Sequence, residues 1–496
     1  MCDTFYIRKA DGRGRTVFFA KNSDRDPNEP QYMVFVPAGE VSKPKTYVEM
    51  PSYTVKHDVW LSKPSWIWGA EMGINRKGVS IGNEATFNKV SVDKTGVLGM
   101  DHLRVTLELG STAREAMEII IQNTERYGQG GNAGFEHPLY YHNSYLIMDP
   151  EEAYLLETVD RYYAYKKLDR NYHISNRISI KDDFDEISPQ LKGKVRSFER
   201  RFTNPIVSYF AGAYHRENRG RELMKRDDYE SAGVMAVLQD RHTGRVASMR
   251  NIGMIAGGLV SSQATASLFY DYDQELIWYT EGPCPEIQLF KPLRFELRQP
   301  AGQGHGEDNR VCGTAMSGRR NLFHQSYDEG EGTKSSGTAT SGTHDSSRKI
   351  CDQPRGTKSS GTAISATRDL FSELCDEGEG VNRWKYNNLL FRAVLNDYAA
   401  NKDRLHPLRT EYQNRLFELS ADETDGEDLY KQAKVINRDY IDEALRLVGE
   451  GPSKGGVRGR VNGGVQFRRY WSRENKALFE REEDGELKEL YKRYLG

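Results

Sequence analysis

An internal duplication limits which parts of this chain can fold together. GTAMSGRRNLFHQSYDEGEGTKSS (residues 313–336) runs directly into GTATSGTHDSSRKICDQPRGTKSS (337–360), and a third copy, GTAISATRDLFSELCDEGEG (361–380), breaks off. A stacked solenoid needs an apolar face that recurs in every copy. Here only a Leu-Phe pair and some small residues recur, and the middle copy lacks Leu-Phe. The composition therefore predicts a duplicated, largely disordered insertion over 299–382. It divides a first foldable segment, 1–298, from a second, 383–496.

The flanking segments have different textures. In the first, TFYIRKA, DGRGR and TVFFAKN read as strand, glycine-containing turn and strand. GINRKGVSIGNEATF, YHNSYLIMDPEEAYLLETVD and SLFYDYDQELIWYTEG repeat the pattern. Between them, STAREAMEIIIQNTERYG places Ala113, Ala116, Ile119, Ile120 and Ile121 near helical spacing, with Ser111 or Thr112 to cap it and Gly128 to end it. From Trp384 onward the chain turns helical and highly charged, with the Gly-rich stretch 449–464 before the last helix. These helices are candidates for packing on the first segment or for self-association into a homo-oligomer.

A length of 496 residues allows about two to four domains. Mean hydropathy is −0.74, polar for a globular enzyme, which fits a chain partly outside any core. The 70 Lys and Arg balance 72 Asp and Glu, so nothing resembles the bulk charge of a nucleic-acid or anionic-membrane binder. No apolar run of signal-peptide or membrane-spanning length occurs. Five widely spaced cysteines do not make a disulfide framework, and no N-x-Ser/Thr sequon is present. A reducing cytoplasm is the simplest expectation.

The common catalytic motifs are missing. There is no HExxH or CxxC, and the GxSxG matches, GVSIG (78–82) inside a strand-and-turn stretch and GPSKG (451–455) inside a Gly-rich one, make no nucleophile elbow; His137 and His142 in HPLYYH have no third ligand beside them. GEGTKSS and GPSKGG lack the Gly-Lys-Ser/Thr of a phosphate loop. No metal or other cofactor is expected.

What remains is the amino terminus, MCDTF. If Met1 is removed, Cys2 carries a thiol and a free α-amine of comparable acidity. The amine can then take the thiol proton and return it to a leaving group, the terminal-residue form of nucleophile-plus-base catalysis. The returning strand ends in AKNSDRD, which should bring Lys21 beside the thiol, lowering its pKa, and Asp24 beside the amine. Alone, each of these residues also suits a solvated loop or an ordinary second-position cysteine.

MCDTF, FAKNSDRDPNEPQ, PSWIWGAEMGINRKGVSIGNEATF, YGQGG, YHNSYLIMDPEEAYLLET and HISNRISI resemble, in this order, the secernin/dipeptidase A family of cysteine peptidases. QATASLFY and GPCPEIQLFKP continue the likeness less closely, and the helical stretch from Trp384 continues it weakly. The resemblance covers most of residues 2–292. It implies an α+β fold, the four-layer αββα sandwich of N-terminal nucleophile hydrolases, with small peptides, above all dipeptides, as substrates. Through the wider bile-salt and penicillin V acylases, it implies that Cys2, Lys21 and Asp24 act together, Lys21 standing where the acylases have arginine. It also implies that Asn83 and Asn176 lie near the nucleophile and stabilise developing oxyanion charge.

Glu71 is a candidate for a substrate amine, and Arg104 and Arg250 for a substrate carboxylate. Trp66, Trp68 and Gly69 more readily pack a core or a pocket wall. Cys284, Cys312, Cys351 and Cys375 receive no catalytic role, and the match near Arg250 is poor. Two rivals stand beside the dipeptidase: an acylase of non-peptide amides, and a secernin-like regulatory protein without catalysis.

Overall fold

A computed structural model describes residues 1–8, 15–257, 262–295, 377–422, 424–449 and 465–495. The repeats, apart from their last residues, and Cys312, Cys351 and Cys375 lie outside the described residues.

Three hairpins expected from the sequence form, and one device closes them. β7 (Met72–Asn75) turns into β8 (Ser80–Thr86) where Asn75 Oδ1 accepts from the backbone of Lys77 and Val79 at 3.0 and 3.1 Å. β9 (His142–Met148) turns into β10 (Ala153–Val159) where Asp149 Oδ1 accepts from Glu151 and Glu152 at 2.8 and 2.9 Å. β14 (Gln263–Asp271) turns into β15 (Leu276–Tyr279) on Asp271 Oδ1 in the same way, at 3.0 and 3.1 Å. Short polar side chains that capture the next backbone N–H groups make such turns locally self-sufficient.

The strands assemble into two main antiparallel sheets. β1 (Cys2–Arg8), β2 (Thr16–Arg25), β12 (Tyr172–Ile174) and β16 (Lys291–Leu293) join the last hairpin in the order β12-β1-β2-β14-β15-β16. β3 (Gln31–Val36), β6 (Val59–Pro64), β11 (Tyr162–Lys167) and β13 (Glu186–Ile187) complete an eight-stranded sheet, β13-β11-β10-β9-β8-β7-β6-β3. A two-stranded ribbon, β4 (Val41–Ser42) and β5 (Tyr53–Thr54), stands apart.

Helices cover the outer face of each sheet. α1 (Gly99–Leu109) and α2 (Ala113–Tyr127) press Leu103, Leu107, Ala116, Met117 and Ile120 onto Leu61, Ile81, Ile147 and Leu156 of the larger sheet. Thr112 caps α2 by accepting from the Glu115 backbone, and Gly128 ends it at φ +71°, both as the sequence predicts. Its buried stripe is Ala113, Ala116, Met117, Ile120 and Thr124, leaving Ile119 and Ile121 half-buried on its flanks.

After α3 (Phe198–Phe202) and α4 (Pro205–Phe210), α5 (Ala213–Leu223) packs on β12 and α6 (Ser231–Leu238) on β2 and β14, covering the smaller sheet only in part. Much of its cover comes from the C-terminal helices α7 (Glu377–Leu395), α8 (Tyr398–Ala421), α9 (Gly426–Gly449), α10 (Val465–Arg481) and α11 (Gly485–Leu495). Phe5, Ile7, Phe18, Phe269 and Trp278 share one core cluster with Leu389, Phe391, Val394, Leu416 and Tyr440. Gln413 on α8 closes the seam by exchanging two hydrogen bonds with the Phe290 backbone, at 2.9 and 3.0 Å. The C-terminal helices are thus part of the same compact unit as the sheets. Within α7, Gly380 lets the backbone lie against the Tyr32 ring, where a Cβ would come within 2.4 Å of Cδ2.

The result is the four-layer αββα sandwich. The two sheets meet through polar as well as apolar groups: Thr4 and Lys21 on one face Glu84 on the other. Gly82 permits that approach, since a Cβ there would lie 2.7 Å from Lys21 Cδ and Thr4 Oγ1. Among the described residues no helix is long and apolar enough to cross a membrane.

Candidate active site

Strand register builds the site. Cys2 pairs with Ser23 and Thr4 with Lys21 across β1 and β2, so these four side chains share the face toward the larger sheet. Asp3 and Asn22 take the opposite face. There Asp3 meets His173 at 3.0 Å and Arg216 at 2.6 Å.

Cys2 is 3% exposed. Its backbone nitrogen donates to Asn176 Oδ1 at 2.8 Å, and its carbonyl accepts from Arg216 Nη1 at 3.0 Å. Its Sγ lies 3.7 Å from Glu71 Oε2. Met1 is in place and half-buried, its ammonium donating to the Asp24 carbonyl. Burial is the largest influence on the thiol and lifts it to about 11, against the pull of Lys21.

Lys21 is fully buried, and its Nζ donates to the Asn83 carbonyl at 2.8 Å, with Glu84 Oε1 at 3.4 Å and Glu71 Oε2 at 3.9 Å. Burial opposes its charge, but the Cys2 thiol, Glu84 and Glu71 outweigh burial and hold its pKa above the ordinary value. Burial lifts Glu84 to about 7 despite Lys21 and Thr4. Asp24 is 1% exposed with neither carboxylate oxygen hydrogen-bonded. Burial raises it to about 8, although the N-terminal amine, Arg216 and Lys21 pull the other way.

Glu71 is itself anchored. Arg25 Nη1 donates to its Oε1 at 2.8 Å, while the rest of the Arg25 guanidinium grips Glu29 and the Ala133 carbonyl. The Asn83 amide, turned so that Nδ2 meets Glu71, donates to Glu71 Oε2 at 3.1 Å and to its carbonyl at 3.0 Å.

No family model matches the chain. Several solved structures resemble it at low identity. The C2A mutant of a conjugated bile acid hydrolase from Clostridium perfringens is 13% identical with a TM-score of 0.38, over 60% of this chain and 94% of that one. A penicillin V acylase from Agrobacterium tumefaciens is 12% identical with a TM-score of 0.34, over 60% and 86%. A Caenorhabditis elegans ortholog of N-acylethanolamine-hydrolyzing acid amidase is 11% identical with a TM-score of 0.29, over 54% and 92%.

The site gathers Cys2, Lys21, Asp24 and Asn83 from strands and Glu71 and Asn176 from the segments beside them, far apart in sequence. Asn176 faces Cys2 with its oxygen, while its Nδ2 donates to the Ala85 carbonyl at 2.9 Å. In this arrangement it holds the nitrogen of Cys2 and offers no N–H toward the sulfur. Arg104 is placed elsewhere: it stacks 4.2 Å over Trp68 and bonds Glu108 and the Trp68 carbonyl, each at 2.7 Å. Arg250 is exposed, next to Met249, whose carbonyl accepts from Arg216 Nε at 3.1 Å. Cys284 is buried against the Tyr398 hydroxyl at 3.8 Å.

Arg216 is the residue that sequence reasoning missed. Its guanidinium ties Cys2, Asp3 and Asn176 together, with Nη2 reaching Asn176 Oδ1 at 2.8 Å and the Ala211 carbonyl at 3.2 Å. In AYHRENRGREL it looks like one more charged position on a polar helix. Its complete burial, 0% exposed, sets it apart from Arg219 and Arg221 of the same helix.

Proposed function

We propose that the chain is a cysteine hydrolase of amide bonds, working from the terminus exposed when Met1 leaves, with short peptides as substrates. One observation carries the reading. The nitrogen that would become the α-amine is already seated on Asn176, while the sulfur of the same residue faces the Glu71–Lys21 pair. Removing Met1 turns that nitrogen from an amide into a base and takes a half-buried residue off the end of β1. The amine accepts the thiol proton, Sγ attacks the substrate carbonyl, and the amine returns the proton to the departing nitrogen. Water then hydrolyses the thioester.

Glu71 supports a peptide substrate. An anchored carboxylate 3.7 Å from Sγ suits the ammonium of a dipeptide's free amino terminus. A second reading, an acylase of non-peptide amides, is favoured by the exposed apolar run Ile206, Val207, Tyr209 and Phe210. That run ends beside Ala211, whose carbonyl holds Arg216.

Intact mass and turnover test the proposal together. Loss of Met1, hydrolysis of dipeptides and loss of that activity in Cys2→Ala are expected; retained Met1 or undiminished hydrolysis in the variant would sink it. Running N-acyl amides beside the dipeptides separates the two readings.

A further inference from the structure

The end of the smaller sheet that carries Cys2 also carries buried polar groups with nothing to bond. Gln263 opens β14 at 0% exposure, and neither Nε2 nor Oε1 of its amide has a partner. Ser23, also 0% exposed, has an unpartnered Oγ and lies directly across the ladder from Cys2. Gln263 pairs with Arg25, two positions beyond Ser23 on β2, so all three side chains belong to the face that Cys2 presents. Arg25 in turn holds Glu71, whose other oxygen faces Sγ. Buried side-chain polar atoms are ordinarily paired, and leaving them unpaired costs stability. An amide with both its donor and its acceptor idle, on the nucleophile's face of the sheet, marks a place kept for a ligand group.

The chemistry of that group follows from the side chain. A carboxylate would use Nε2 and oppose Oε1, and an ammonium would do the reverse. A secondary amide presents a carbonyl and an N–H together and satisfies both. We propose that Gln263, with Ser23 beside it, is a subsite that recognises the substrate through a secondary amide unit, and so selects peptide-like amides over esters. The inference rests on the reading of Cys2 as nucleophile only for its place in turnover; recognition itself can be measured without chemistry.

The test uses the full chain carrying Cys2→Ala, titrated calorimetrically with L-alanyl-L-alanine and with the depsipeptide L-alanyl-L-lactate, in which oxygen replaces the N–H. With Gln263 present the amide should bind about tenfold more tightly than the ester. In Cys2→Ala/Gln263→Met that preference should fall to about twofold or less. Because no protein partner is lost, Gln263→Met should melt at or above the parent temperature. An unchanged amide preference, no binding of either compound, or a lowered melting temperature would overturn the subsite, the last by assigning Gln263 to the fold. Dipeptide hydrolysis by the chain with Cys2 intact is scored separately. Its absence would remove the nucleophile reading and leave a measured amide preference standing.

Discussion

Asn176 holds Cys2 by its nitrogen: Oδ1 sits 2.8 Å from the backbone N of a residue 174 positions earlier. In the processed chain the same contact would fix which way the amine lone pair faces. Asn176→Ala should therefore lower kcat by about 10–100-fold, the scale of one or two lost hydrogen bonds at the reacting group. KM should move less. A raised KM at unchanged kcat would assign Asn176 to substrate binding instead.

Lys21 serves both the thiol and the fold. Lys21→Met would leave Glu84 without the buried cation that faces it and Glu71 with Arg25 alone, a change of the kind that costs about 3–5 kcal/mol. Lys21→Met/Glu84→Gln should recover part of that stability, because one uncompensated carboxylate is gone. The thiol should still react with iodoacetamide more slowly than in the parent, since the charge that draws its pKa down is missing. Urea denaturation and rates of Cys2 alkylation report the two effects independently. A double variant no more stable than Lys21→Met would refute the pairing.

What the sequence makes legible here is what strands encode locally. The hairpins closed by Asn75, Asp149 and Asp271 announce themselves because alternation and turn chemistry lie within about twenty residues. Cys2, Lys21 and Asp24 could be associated because a single hairpin joins them. Arg216 could not: its partners Asp3 and Asn176 lie 213 and 40 residues away, and a helix full of arginines gives no sign of which one is buried. The orientation of Asn176 was equally hidden, because an amide reads the same whether its oxygen or its nitrogen faces the site. The C-terminal segment was legible as helical and charged but not its partner, since the apolar face that receives it belongs to strands far earlier in the chain.

Glu84 makes stability depend on pH. Burial raises its folded-state pKa to about 7 from 4.5. Below pH 4.5 it is protonated whether folded or unfolded, and its contribution is fully present. Between pH 4.5 and 7 the unfolded chain releases the proton that the folded chain keeps, so stability falls, by about 3 kcal/mol in all. Above 7 the loss is complete. Glu84→Gln has no such proton, so its stability relative to the parent should improve across that window and level off beyond it. Urea midpoints at several pH values measure this, and a difference independent of pH would contradict the assignment.

Arg216 is expected to act through geometry more than charge. Arg216→Lys keeps a cation beside Asp3 but cannot reach the Cys2 carbonyl, Asp3, Asn176, Ala211 and Met249 with one planar group. Arg216→Ala removes the cation as well and leaves Asp3 with His173 alone, a loss of about 3–5 kcal/mol for a broken buried pair. The lysine variant should therefore stay folded while its kcat falls by about tenfold or more, as Cys2 and Asn176 lose their common support. The alanine variant should be measurably less stable. Full activity in Arg216→Lys would show that charge alone suffices at this position and that the shared guanidinium does not align Cys2.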